Sequence, residues 1–491
     1  MGDYQIFGSG SEIDTSGLDN DYSRNGNFCI CGCLDTFAVF KITHLYKNFT
    51  KAFKMNNRQI ALEIFLAGVE SVKPDMLISE SITYSGQQLV INNKVFDLSA
   101  VQNIYVTGAG KASALMAQAL ESVLGSAITG GHIVTKYGHS VPLKYIGVSE
   151  AGHPVPDENG LKGTAQMIEF IQKADKNDLV ICLISGGGSA LLTDVPEGCT
   201  LADLVSMNDL LLKCGADIGE INCVRKHLSA IKGGQLAKMA SPAIVKSLIL
   251  SDVIGDPLDV IASGPTATDE STFADAMAVL KRYNLSSKVA PAILKIINEG
   301  VQGKRRETLK KEDPVVNQIN NFLIGNNKLA LQAAKSKAEN LGFYTQIETS
   351  TLSGNVEDIA SMLVETAIRC RDEHRGRKTC LLYGGEPTVK ISGNGLGGRN
   401  QHLALLCAKL LHNQAGITIL SGGTDGTDGP TDAAGAVVDN QTFSNGKKSN
   451  LDIDHYLQNC DSYHFFRQEG GLVTTGPTQT NVMDIIIVLI G

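Results

Sequence analysis

At 491 residues the chain exceeds the size at which a single hydrophobic core keeps growing, so two domains are expected. A hydrophobic content of 43% with 19% charged residues is that of an ordinary globular protein, and a net charge of -8 excludes a broad nucleic-acid or anionic-membrane surface while leaving room for a local basic pocket. No apolar run is long enough to span a bilayer, so a soluble protein is expected; the 11 cysteines, mostly single and set in apolar or helical patterns, fit reduced thiols inside a cell.

The chain opens with Asp3, Glu12, Asp14, Asp19 and Asp21 against Arg24 alone, the reverse of a mitochondrial transit peptide and without the basic start of a secretory signal. Residues 1–54 are therefore expected to be a poorly ordered extension. The cytosol is the expected compartment, with the mitochondrion as the alternative if translation uses another start. Cys29, Cys31 and Cys33 form a C-x-C-x-C run without zinc-ligand spacing or a second half, and it reads as incidental.

From Met55 the pattern alternates between helix and strand. Asn57 to Val72 has helical apolar spacing, Ile104 to Val106 is a short strand, and Ala112 to Leu124 returns to the helical period. Ile133 to Thr135, Leu179 to Ile184 and Ser247 to Leu250 repeat the strand pattern, each closed by a polar or glycine turn. This alternation predicts a mostly parallel, Rossmann-like sheet over residues 55–302, with ligands at the carboxyl ends of its strands. The charged segment 303–316 is read as a linker, a long surface loop being the alternative. A second α/β domain is expected over 317–491, running from Phe322-Leu323-Ile324 to a terminal strand at Ile485 to Ile490.

Chemistry-bearing residues cluster after the apolar runs. Gly108-Ala109-Gly110-Lys111 follows a strand and opens a helix; it matches neither a Walker A loop nor the full dinucleotide fingerprint, yet a lysine there suits an anion. His153, in Gly152-His153-Pro154, is placed to donate to a substrate oxygen or simply to build a turn. Ser185-Gly186-Gly187-Gly188-Ser189 can form a nest of amides for a carboxylate or phosphate. Arg225 and Lys232 fall two turns apart on one helix face, which fits either anion binding or a solvated face. Asp252, just past a strand, and Asp425 and Asp428 in Gly422-Gly423-Thr424-Asp425-Gly426-Thr427-Asp428 suit magnesium or general-base duty. Finally, Leu381 to Val389 runs into glycines and then into Gly397-Gly398-Arg399-Asn400-Gln401, where a forked cation stands at the head of a helix-period segment.

Taken in order, these motifs, together with Val224 to Ser229, Lys232-Gly233-Gly234 and Ala262-Ser263-Gly264-Pro265-Thr266, resemble the class II glycerate kinases, whose C-terminal part is the MOFRL domain. The resemblance runs from about Met55 to the C-terminus. It implies two α/β domains with the active site in the cleft between them, and ATP-dependent phosphorylation of D-glycerate to 2-phosphoglycerate with Mg2+. The family's essential lysine and arginine match Lys111 and Arg399. The ligands implied are D-glycerate and ATP, with neither nucleic acid nor membrane, and the oligomeric state is left open.

Physical reading and resemblance agree on a mechanism in which Lys111 and Arg399 converge on the γ-phosphate, since phosphoryl transfer needs positioning and charge neutralisation more than covalent chemistry. Asp252 would accept the hydroxyl proton or hold metal, Asp425 and Asp428 would hold metal, and Gly110 and Asn400 would join the phosphate site. The Ser185–Ser189 loop, with His153, Arg225 and Lys232, would hold glycerate. His402 departs from the family's usual glutamate, which matters if that glutamate orients the arginine. Two other readings are a hydroxypyruvate reductase, resting on the near-fingerprint at Gly108, and a non-catalytic glycerate-binding protein.

Overall fold

The computed structural model describes residues 55–374 and 376–491, which include one helix-and-sheet unit, Met55–Gly491. The expectations for residues 1–54, including the three clustered cysteines, lie outside the described residues.

The first sheet has six parallel strands. In spatial order they are Gly147–Ala151, Gly130–Lys136, Asn103–Ala109, Asp178–Ile184, Ile244–Leu250 and Ile319–Gly325. Numbered along the chain, this is the order 3-2-1-4-5-6 of a doubly wound nucleotide-binding sheet. The central strand Asp178–Ile184 is buried at every position, as a strand covered on both faces must be, and its run Leu-Val-Ile-Cys-Leu-Ile supplies that burial. The strand order reverses between Asn103–Ala109 and Asp178–Ile184, so a crevice opens where the glycine turns after those two strands lie.

The second sheet also has six strands but is mixed. Tyr344–Asn355 runs parallel to Thr379–Thr388, while the terminal strand Asp484–Ile490 is inserted antiparallel between Thr379–Thr388 and Ile417–Gly423. The insertion brings three strand ends to one edge: Asp484 is the register partner of both Gly385 and Gly423. A wholly buried Asp-Ile-Ile-Ile-Val-Leu-Ile strand can occupy such a position only in the middle of a covered sheet.

The expected boundary at 303–316 does not match the packing. Strand Ile319–Gly325 completes the first sheet, so the chain leaves that sheet only afterwards. Within the supposed linker Leu309 is fully buried, its amide donating to the Gly233 carbonyl at 2.9 Å while its own carbonyl accepts from the Asp269 amide at 2.8 Å. Helix Asn57–Ser71, assigned by position to the first domain, packs on the second sheet: the Phe65 ring covers Gly422, and Arg58 pairs with Asp439 at 2.7 Å and Glu469 at 3.1 Å. Charge density identified 303–316 as surface chain, but which core it straps is decided by its few apolar residues. An antiparallel three-stranded sheet, Ile82–Tyr84, Gln88–Ile91 and Lys94–Asp97, was not anticipated; its hairpin turns at Asn92-Asn93, both with positive φ, which asparagine tolerates.

Candidate active site

The turns after the first and fourth strands are stitched together. The Lys111 amide donates to the Gly186 carbonyl at 2.9 Å, the Ala112 amide to Ser185 Oγ at 3.0 Å, and the Ser185 amide to the Ala109 carbonyl at 3.1 Å. Only glycine fits at 110, with φ of 142°, because a Cβ there would lie 2.0 Å from Ser185 Oγ. Gly186 is required for a different reason: a Cβ would lie 1.8 Å from Asp252 Oδ2, so the carboxylate that follows the neighbouring strand rests directly on this turn. The position a Cβ would take on Gly187 is 2.9 Å from the His153 ring and 3.3 Å from Lys111 Cγ, so Lys111, His153 and the triple-glycine turn meet at one point. The Gly186 and Gly187 amides have no hydrogen-bond partner among the described residues.

From the other sheet comes Arg399, the first residue of helix Arg399–Leu410. Its Nε donates to Asp484 Oδ2 at 2.6 Å and its Nη2 to Asp484 Oδ1 at 3.0 Å, while Nη1 donates to Glu386 Oε1 at 2.7 Å. Burial alone would disfavour charge on the guanidinium, but the bonds and charge of Asp484 outweigh it and hold Arg399 charged. Lys111, Asp252, Glu386, Arg399, Asp425 and Asp484 all line one cavity of about 820 Å³. The Asn481 side-chain Nδ2 donates to Asp252 Oδ2 at 3.4 Å, tying the chain before the terminal strand to the first sheet's carboxylate.

Electrostatics separates the members of this cleft. Burial pushes the Asp252 carboxyl up to about 6, with the Lys111 charge pulling the other way. His153 is lowered to about 4 by burial and by the neighbouring Lys111 and Lys136 charges, so its ring is neutral. The Lys111 ammonium has no ion-pair partner among the described residues, unlike Arg399. Among the described residues no three His, Cys, Asp or Glu converge as a ready-made metal cage. Asp425, whose Oδ1 accepts from the Thr427 amide at 3.1 Å, lines this cavity together with Glu386.

A second cavity, about 720 Å³, lies behind the triple-glycine turn and is lined by His153, Gly187, Ser189, Arg225 and Lys232. Arg225 Nε donates to Asn208 Oδ1 at 2.8 Å, and the guanidinium has no carboxylate partner among the described residues. Lys232 is almost wholly buried, donating to the Leu192 carbonyl at 2.5 Å with Asp194 Oδ1 at 3.9 Å.

Four expected ligand contacts are engaged elsewhere. The Gly110 amide bonds the Val134 carbonyl at 3.2 Å, and Ser185 Oγ is spent on the Ala112 amide. Asn400 is buried, accepting from Ser421 Oγ at 2.6 Å and donating to Asp428. Asp428 does not present itself as a metal ligand: Oδ1 accepts from the Asn400 amide at 3.0 Å and Oδ2 from the Gln401 amide at 2.8 Å, so it caps the helix that carries Arg399. Conversely, Asp484 and the clamping role of Glu386 were missed. The available signal was an acid leading an otherwise wholly apolar strand. His402 is buried with Nδ1 unpartnered, and Arg399 is oriented by Asp484 and Glu386 without any acid at position 402.

A doubly wound sheet and a mixed sheet that jointly present a lysine, a clamped arginine and a buried aspartate to one cleft define a two-domain α/β enzyme. Residues 60–298 match the family described as a domain of unknown function, DUF4147, and residues 379–484 match the MOFRL family. The chain is 40% identical over 441 residues to the glycerate 2-kinase of Pyrococcus horikoshii, covering 89% of this chain and 98% of the relative. It matches the crystal structure of a glycerate kinase from Thermotoga maritima with a TM-score of 0.79 at 40% identity, over 88% of this chain and 99% of that one. A protein of Agrobacterium vitis named as a putative hydroxypyruvate reductase is 39% identical over 88% of this chain and 94% of its own. The chain belongs to the family of these glycerate kinases, with a MOFRL domain in its C-terminal part.

Proposed function

We propose that this chain transfers the γ-phosphoryl group of ATP to the 2-hydroxyl of D-glycerate, giving ADP and 2-phosphoglycerate. The observation that carries this reading is the convergence of Lys111 and Arg399, from different sheets, on one cavity. Two cations at a phosphoryl group neutralise charge on its peripheral oxygens and hold it in line, which is most of what this chemistry requires. The acceptor hydroxyl oxygen bonds to the γ-phosphorus as the bond to the ADP bridging oxygen breaks, and Asp252 takes the hydroxyl proton. A carboxyl near 6 is ionised at neutral pH yet basic enough for this task. Asp425 and Glu386 offer carboxylate oxygens of the kind that hold Mg2+ alongside substrate phosphates. When bound, Mg2+ supplies charge neutralisation on the β- and γ-phosphates. The free Gly186 and Gly187 amides with Arg225 receive the glycerate carboxylate on the far side of Lys111, and neutral His153 donates to a substrate oxygen.

The reductase reading fits less well. A dinucleotide site of this fold wants an acid at the end of the second strand for the ribose, and Gly130–Lys136 ends in lysine. The deciding experiment is a coupled assay with D-glycerate, Mg2+ and ATP beside one with hydroxypyruvate and NADH, the product read by phosphorus NMR. Glycerate-dependent ADP release with a 2-phosphate product is expected. NADH oxidation without ATP turnover would replace the kinase by the reductase, and silence in both would leave a binding protein.

A further inference from the structure

The cavity behind the triple-glycine turn is larger and more apolar than glycerate can use. Its volume of about 720 Å³ falls in the range that holds drug-sized ligands, roughly 300–1,000 Å³. D-Glycerate is a three-carbon acid with an oxygen on every carbon, and it has no apolar surface to offer. Yet the cavity's lining includes Val155, Leu201, Leu204, Val205 and Leu228. Leu201, Leu204 and Val205 belong to helix Leu201–Lys213, whose buried Met207 and Leu211 anchor it in the core beneath, so the wall is fixed in place. The same helix supplies Asn208, which holds the Arg225 guanidinium through its Nε and leaves the terminal nitrogens without a carboxylate partner among the described residues. The cavity thus carries both a half-buried cation and a hydrocarbon surface, and it meets the Lys111 side chain at Gly187, whose Cβ position lies 3.3 Å from Lys111 Cγ. Such a hydrocarbon surface gains when it loses contact with water, and a substituent longer than glycerate's hydroxymethyl group can cover it.

We infer that the acceptor site accepts D-2-hydroxy acids with larger, apolar substituents as well as D-glycerate, the carboxylate resting at Arg225 and the substituent on the Leu204–Val205 wall. This rests on the acceptor assignment made above. The reaction is unchanged in its balance: the 2-hydroxyl oxygen bonds to the γ-phosphorus, the bond to the bridging oxygen of ADP breaks, and the proton goes to Asp252.

The full-length protein, with ATP and Mg2+, is given D-glycerate and, separately, the D enantiomer of 2-hydroxy-4-methylpentanoate, with ADP release followed alongside phosphorus NMR of the product. The branched acid is expected to be phosphorylated on its 2-hydroxyl with kcat/KM within about a hundredfold of that for glycerate. Val205→Trp, which fills the apolar wall, is expected to shift the preference toward glycerate by about tenfold or more. Turnover of glycerate without turnover of the branched acid overturns the inference and leaves the kinase reading standing, and competition by the branched acid without phosphorylation does the same. An Arg225→Ala protein with unchanged KM for glycerate removes the acceptor assignment itself, and the inference with it.

Discussion

Arg399 and Asp484 form a two-pronged ion pair, 2.6 and 3.0 Å across its two hydrogen bonds, in which the carboxylate is 1% exposed and lies at the start of the terminal strand. The strand therefore aims the arginine: Asp484 sits between the ends of two neighbouring strands and holds the guanidinium by two hydrogen bonds, with Glu386 supplying a third. Asp484→Asn keeps the shape and removes the charge that fixes the fork. It is expected to lower kcat by about a hundredfold through misplacement of Arg399, with KM for glycerate little changed. Steady-state kinetics of the purified variant test this, and a loss confined to KM would contradict it.

Lys111 stands differently. Its ammonium has no ion-pair partner among the described residues, and its charge acts on the buried Asp252 carboxyl only from beyond ion-pair distance. Lys111→Ala is expected to cost about 10²–10³ in kcat, the scale of one lost stabilising donor at a transition state. Its unfolding free energy should stay within about 0.5 kcal/mol of the parent. Turnover near the parent value would remove Lys111 from the mechanism.

The pH dependence follows from Asp252. As a base it must be ionised, and burial raises its carboxyl to about 6, so the active form is lost as the pH falls through that value and is complete above it. The kcat/KM profile for glycerate should show one acid limb near 6, and Asp252→Asn should abolish the limb along with most of the rate. A profile flat between about pH 5 and 7 would exclude Asp252 as the proton acceptor.

Asp428 provides a stability prediction. It accepts from the Asn400 and Gln401 amides and from both of their side chains, so Asp428→Ala strands buried donors at the head of the helix carrying Arg399. A cost of about 2 kcal/mol or more is expected, seen as earlier unfolding in denaturant. The Mg2+ concentration for half-maximal activity should move by less than about threefold, since a direct metal ligand would shift it by about tenfold or more. A Mg2+ shift with normal stability would restore Asp428 to the metal site.

How much of this was legible can be judged from particular residues. The strand–turn–helix repeats placed Lys111, Gly186 and Asp252 at strand ends because apolar runs closed by glycine announce themselves locally. The second sheet was harder to read. Nothing local says that Ile485 to Ile490 runs antiparallel between two parallel neighbours, so the meeting of Asp484 with Arg399, 85 positions apart, could not be foreseen. The helix-capping bonds of Asp428 were not legible because an aspartate in a glycine loop looks the same whether it meets a metal or a helix end; the helix end is set by chain that lies 28 positions earlier. The expected linker failed for a related reason, since the pairing of Leu309 with Gly233 is invisible to charge counting.

By itself, then, the sequence determined the two α/β bodies, the glycine turns at the strand ends and the pair of cations, because hydrophobic period, glycine and fixed charge act over a few residues. Only the tertiary structure decided which cations share a cavity, which carboxylates are free and which are consumed. Those outcomes depend on strand order and on burial, and burial sets both the charge state of Asp252 and the partners left to Arg399.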